Sequence, residues 1–287
     1  MTIRTVLVTG ATGKTGRRVA ERLAARGLTV REGSRSGAVP FDWEAPEGWA
    51  AALRGADAAY VNYYPDLAAP GAVEAMGAFG AVAAREGVRR LTLLSGRGEP
   101  AAVAAERALR EAATGIEPTV VRAAFFAQNF TEGLLAEGVA AGELVFPAGD
   151  TPEPFVDVAD LADVVVETLL SDAHAGLVHE LTGPRALTFA EVAAELSRAS
   201  GRPVTYTPVT AEAYAEVLAG LGLPRPEAEW LAELFATLLD GHNAEPTDGV
   251  KRVLGREPRS FARFAADLLV HADQRRRRRT QRRVRAR

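Results

Sequence analysis

The chain has 287 residues, 47% of them hydrophobic, enough for one large α/β domain or for a nucleotide domain with a smaller lobe. It has no cysteine, which excludes disulfides, thiolate metal sites and cysteine nucleophiles; no histidine pair or carboxylate cluster has metal-ligand spacing, so no metal is expected. The net charge of −3 hides an asymmetry: residues 275–287 hold nine arginines and no acid, which leaves 25 basic against 37 acidic groups, or −12, on the rest. The body is thus a poor nucleic-acid binder, and only an Arg-rich tail, 273–287, could hold nucleic acid, non-specifically and by charge; the same composition reads as a disordered, self-repelling segment. No apolar run approaches the roughly 20 residues of a membrane span, and the N-terminus enters a strand with no signal peptide, so a cytoplasmic location is expected.

The first element pair dominates the reading. Val6 to Val8 reads as a buried parallel strand, and Val19 with Leu23 marks the helix that follows. Between them Gly10, Gly13 and Gly16 recur at a spacing of three. Gly10 suits the sharp turn, Gly13 lets a pyrophosphate approach the backbone, and Gly16 lets the helix pack on the strand. The N-terminus of that helix would bind the phosphates, which assigns Thr12, Lys14 and Thr15 to the cofactor site with the glycines.

Gly27 ends the helix, and a second strand, Leu28 to Glu32, leads into Ser34 and Arg35. An acid at this strand end favours NAD and an arginine favours NADP. Glu32 is near, but Ser34 and Arg35 occupy the turn, so NADP(H) is favoured over NAD(H), the alternative being a solvated Arg35. Asp42, in Phe41-Asp42-Trp43, is assigned to the adenine side. A short helix, Glu47 to Leu53, precedes a third strand, Ala58 to Asn62, which ends in Tyr63-Tyr64. A helix over Ala69 to Glu86, a strand Arg90 to Ser95 followed by Gly96-Arg97, a helix Pro100 to Ala113 and a strand Pro118 to Arg122 complete five β-α repeats.

From Ala123 the pattern becomes mixed. The aromatic stretch Phe125 to Phe130 leads into a helix ending near Gly138; Glu143 to Phe146 and Glu153 to Asp157 read as extended, with a helix Val158 to Leu170 after them. Val178 to Leu181 reads as a strand returning to the main sheet, Thr188 and Glu191 as a capping box, and Val204 to Thr207 as a strand. Helices near Ala211–Leu221, Glu227–Leu239 and Arg259–Val270 follow; helical spacing marks Trp230 and Phe235 as core, and His242 is a loop histidine. The fold class expected is α/β: a Rossmann-type doubly wound parallel sheet with a smaller C-terminal substrate lobe, divided as 1–122 for the core, 123–272 for the mixed segment and 273–287 for the tail.

The run Val8 to Gly16, Arg35, Leu94-Ser95-Gly96, the strand Thr119 to Arg122 with Phe126 and Asn129, Phe155-Val156-Asp157 and Leu181-Thr182-Gly183-Pro184 together resemble the NmrA-like NAD(P)-binding proteins, atypical members of the short-chain dehydrogenase superfamily. The resemblance runs over about residues 3 to 270. It implies relatives of three kinds: NAD(P)H-dependent quinone and enone reductases, tailoring reductases of natural-product pathways, and redox sensors that bind the cofactor without turning it over. Standard short-chain dehydrogenases pair a serine with Tyr-x-x-x-Lys on the next helix. Ser95 stands at the serine position and is carried over to the cofactor and catalytic sets, but Pro100 to Ala113 has neither tyrosine nor lysine.

Hydride transfer to a quinone or activated C=C bond remains open, with the proton drawn from solvent. Tyr63 or Tyr64 would donate a proton or stack on a flat substrate, unless both pack under the next loop; Arg97 would hold an enolate or quinolate oxygen, unless it is a surface arginine. Phe125, Phe126, Asn129 and Phe155 are assigned to substrate, with Asn129 alternatively a loop tie. Three readings follow: an NADPH-dependent reductase of a flat conjugated small molecule, a silent NADP(H) sensor with a protein partner, and a non-redox isomerase or cyclase. A homodimer is compatible with each.

Overall fold

The computed structural model describes residues 2–268, so the arginine-rich tail lies outside the described residues. The described chain divides into two compact units. The first holds residues up to Ala124, Val158–Thr182 and Thr247–Pro258; the second holds Phe125–Asp157, Gly183–Pro246 and the segment from Arg259.

The first unit is a seven-stranded, wholly parallel sheet. Its strands are β1 (Thr5–Thr9), β2 (Thr29–Ser34), β3 (Val39–Pro40), β4 (Ala58–Val61), β5 (Arg90–Gly96), β6 (Thr119–Ala123) and β8 (Val178–Leu181), in the order β3-β2-β1-β4-β5-β6-β8. Order reverses at β1, the topological switch point of a doubly wound sheet. The central strands are apolar on both faces because helices cover both. Leu7, Ala59, Val61, Leu91 and Leu93 pack on Trp49 of α2 (Trp49–Leu53), Met76 and Phe79 of α3 (Ala72–Arg85) and Leu109 of α4 (Pro100–Ala112). α1 (Lys14–Ala25) packs against α6 (Val158–Leu170), with Arg22 Nε 2.6 Å from Asp163 Oδ1. Asp160 of α6 is fully buried and bonds Arg256 at 2.7 Å, just after α10 (Gly249–Leu254).

The second unit has α5 (Ala136–Ala141), β7 (Glu143–Phe146), α7 (Phe189–Ser200), β9 (Thr205–Pro208), α8 (Ala211–Gly220), α9 (Arg225–Leu238) and a helical stretch at 261–268. β7 and β9 pair in parallel as a separate two-stranded sheet. The capping box is present: Thr188 Oγ1 accepts from the Glu191 N–H and the Glu191 carboxylate accepts from the Thr188 N–H. The core is a ring cluster in which Phe189 stacks on Phe146 at 4.8 Å and meets Phe125, Phe130 and Phe155 edge-on.

Several expectations need correction. β2 runs two residues further than expected, to Ser34. The helix expected from Phe130 instead begins at Ala136, because a 3-10 turn over Ala127–Phe130 and Gly133 with φ +129 interrupt it. Glu153 to Asp157 makes only isolated bridges, Glu153 with Leu187 and Val156 with Phe126. β3 and α10 carried too few residues to show a period. Phe189→Ala should lower stability by about 3–5 kcal/mol, since it empties the centre of the aromatic cluster; a urea titration followed by tryptophan fluorescence and circular dichroism reads the shift.

Candidate active site

The turn between β1 and α1 is built to bring backbone against backbone. Gly10 has φ +61, a left-handed conformation that side chains resist, and its carbonyl accepts from the Gly13 N–H at 2.9 Å. A Cβ on Gly16 would stand 2.2 Å from that same carbonyl oxygen. Gly13 precedes α1 with extended backbone and no side-chain cap, and no acid stands in the first turn. The positive end of the helix therefore meets no carboxylate of its own turn, which suits a phosphate. Donor geometry and cleared space together fit the pyrophosphate of a dinucleotide.

The turn is held from behind by Asn62, a residue that pattern reading placed in a strand and gave no role. Its N–H donates to Thr9 Oγ1 at 2.8 Å, and its amide donates to Thr15 Oγ1 at 3.3 Å. Its carbonyl accepts from Trp43 Nε1 at 3.0 Å. Thr15 is thus buried and tied to the fold, whereas Thr12 is exposed at the turn and Lys14 half-buried. A polar residue at the end of the strand beside β1 was the available signal for Asn62.

The second turn places Arg35 directly after β2, exposed, with its guanidinium 5.8 Å from the ring of Tyr64. Ser34 is buried, and its carbonyl accepts from the Gly37 and Phe41 N–H groups. Asp42 makes a local turn, accepting from the Glu44 N–H at 3.1 Å through its carboxylate and from Trp49 Nε1 at 2.7 Å through its carbonyl.

The residues expected to do chemistry each have defined surroundings. Tyr64 is 67% exposed and stands beside Arg35. Tyr63 packs on Trp43 at 5.1 Å, next to the Phe41, Trp49 and Phe79 rings, and burial with nearby Glu44 and Glu74 raises its phenol. Ser95 donates to Glu106 Oε1 at 2.6 Å, so its proton is bound to a carboxylate of α4. Glu106 also takes Arg122 in two bonds, 2.9 and 2.8 Å. Arg97 is nearly buried and ion-paired with Glu180 at 3.3 Å, and Glu180 also faces Arg122 at 3.5 Å. Arg97 is a member of a charge network rather than a surface arginine.

In the second unit Phe155 is 2% exposed, and Phe125 touches five rings, those of Phe130, Phe146, Phe155, Phe189 and Phe235. Phe155 is a core residue of that unit, and Phe125 is partly buried against the core. Phe125, Phe126 and Asn129 keep partly exposed side chains and are the candidates there for substrate contact. His242 forms a turn with Asp240, whose carboxylate accepts its N–H at 2.9 Å. Among the described residues no group of three or more acids and histidines is disposed to hold a metal, and no helix is long and apolar enough to cross a membrane.

A family model for NmrA-like proteins matches residues 103–264, more than half of the chain. The chain belongs to the NmrA-like family. The uncharacterised oxidoreductase YesF of Bacillus subtilis is 32% identical over 91% of this chain and 94% of its own. The NAD(P)H azoreductase of Xenophilus azovorans is 37% identical over 53% of each chain. An NADPH-bound quinone oxidoreductase, QOR2 of Escherichia coli, shares the fold at a TM-score of 0.72 and 24% identity, with 92% of this chain and 99% of that one covered. That likeness is one of fold, and it covers the parallel sheet as well as the residues that the family model matches.

Gly16→Ala should push α1 off the Gly10 carbonyl. Affinity for nicotinamide dinucleotides, read by quenching of tryptophan fluorescence, is expected to fall about tenfold or more, with a stability loss of about 1–3 kcal/mol.

Proposed function

We propose that the protein is an NADPH-dependent reductase of a flat conjugated small molecule: a quinone, an enone or an azo compound. The observation that carries the reading is the cleared, uncapped cradle of Gly10–Gly16 followed by exposed Arg35 at the end of β2. The names of relatives, an oxidoreductase and an NAD(P)H azoreductase, support it. Bound there, the reduced nicotinamide would supply a hydride. Gly10, Gly13 and Gly16 would grip the diphosphate through backbone, Asn62 and Thr15 would hold the turn rigid, and Arg35 with Tyr64 would flank a 2′-phosphate. Substrates of this class need orientation and exclusion of water more than a tyrosine–lysine pair.

The commitment of Ser95 to Glu106 and of Arg97 to Glu180 favours one rival, a silent NADP(H) sensor. Following nicotinamide absorbance with purified protein, NADPH and a panel of quinones, enones and azo dyes separates the two: oxidation with at least one acceptor is expected, and tight NADPH binding with none oxidised would establish the sensor. Arg35→Ala should weaken NADPH about tenfold, roughly 1.4 kcal/mol, and leave NADH affinity within about twofold; equal losses for both nucleotides would remove the 2′-phosphate assignment.

A further inference from the structure

One buried acid in the first unit has no place in the cofactor cradle. Glu99 lies in the turn after β5 and is only 7% exposed. Its carboxyl folds back over the end of its own strand, so that a Cβ on Gly96 would stand 1.9 Å from Glu99 Oε1. Its other oxygen, Oε2, is buried and meets no hydrogen-bond donor. What stands against it is a second carboxyl, Asp66, from the turn after β4. A third, Glu106 of α4, adds negative charge.

The neighbouring cations are engaged elsewhere. Arg122 of β6 is bonded to Glu106 and faces Glu180 of β8, Arg97 is paired with Glu180, and the Ser95 hydroxyl donates its hydrogen bond to Glu106. Two interacting buried carboxyls disfavour joint ionisation, and a proton held by the pair relieves the repulsion. Burial first, then the charge of Asp66 and its bond, push Glu99 up to about 8. Asp66 is raised by burial, against the lowering effect of the Ala68 N–H at 2.8 Å and of Glu99. An unneutralised buried pair costs stability.

β4 and β5 are neighbours in the sheet, and both acids follow their C-terminal ends, the end at which the glycine turn follows β1. Ligands of doubly wound sheets bind outside these ends. We propose that the Asp66–Glu99 pair is the proton source for the acceptor reduced at this site. The inference rests on the reductase reading above. A quinone takes a hydride, two electrons and one hydrogen, and becomes a hydroxyarenolate. The shared carboxyl O–H then breaks, and its proton forms the O–H bond of the hydroquinone. The doubly charged pair regains a proton from solvent through Asp66, the more exposed partner. In sum, quinone, NADPH and one proton give hydroquinone and NADP⁺.

Acceptor chemistry isolates this step. A quinone needs a hydride and a proton, whereas a triarylmethyl cation needs a hydride alone to become a neutral leuco dye. Wild-type quinone turnover should fall as pH rises through about 8, because the donor is then lost. Glu99→Gln keeps the shape of the side chain; it should lower quinone kcat by about tenfold or more, abolish that limb of the pH profile and leave cationic-dye turnover within about twofold. On the cofactor-free protein, infrared spectroscopy should show a protonated-carboxyl C=O stretch at pH 7 that titrates near 8 and is missing in Glu99→Gln. Equal losses with both acceptors, a pH limb that survives in the variant, or no such stretch in the wild type would overturn the proposal. A titrating stretch in a wild-type protein that turns over neither acceptor would remove the reductase reading, and the proton role with it.

Discussion

The structure depends on one close approach, the carbonyl of Gly10 against the Cα of Gly16, where an added Cβ would stand 2.2 Å from the oxygen. The contact seats the first turn of α1 directly on the end of β1, and with it the direction of the helix dipole. Everything behind the turn serves to keep it there: Thr9 bonded to Asn62, Asn62 bonded to Thr15, and Trp43 bonded to the Asn62 carbonyl. Through Trp43 the aromatic cluster of Phe41, Trp49, Tyr63 and Phe79 is coupled to the same turn. The hydrophobic core of the first unit and its ligand cradle are therefore not separate structures.

Charge is distributed unevenly around the later strands. Glu106, Arg122, Glu180 and Arg97 form a chain in which each carboxylate meets a guanidinium. Beside it, Glu99 is buried against Asp66 with Oε2 unpartnered, and burial with the charge of Asp66 raises its carboxyl. Ser95 belongs to the neutralised network.

The second unit is organised on another principle. Its centre is a set of stacked and edge-on rings, with a parallel two-stranded sheet and helices around it, and among the described residues no strand of it joins the seven-stranded sheet. Aromatic rings supply much buried area per residue, so a small unit stitched from three separate chain segments can still hold a core.

Local signals were enough for much of this. The glycine spacing, the apolar runs of β1, β4, β5 and β6, the Thr188 capping box and Arg35 after β2 all follow from rules that act within a few residues, and the parallel sheet follows from their alternation. The fates of polar and aromatic side chains did not. Tyr63, Ser95, Arg97, Phe125 and Phe155 have the residue types of a reactive pocket, yet each is engaged by a partner distant in sequence: Trp43, Glu106, Glu180 and the Phe146–Phe189 rings. Asn62, and the meeting of Asp66 with Glu99 across adjacent strands, were invisible for the same reason. Sequence determined which backbone could cradle a dinucleotide, because steric freedom is a property of each residue. Only the tertiary structure decided which ionisable groups keep their protons, because desolvation and Coulomb energy depend on what the folded chain brings within a few ångströms.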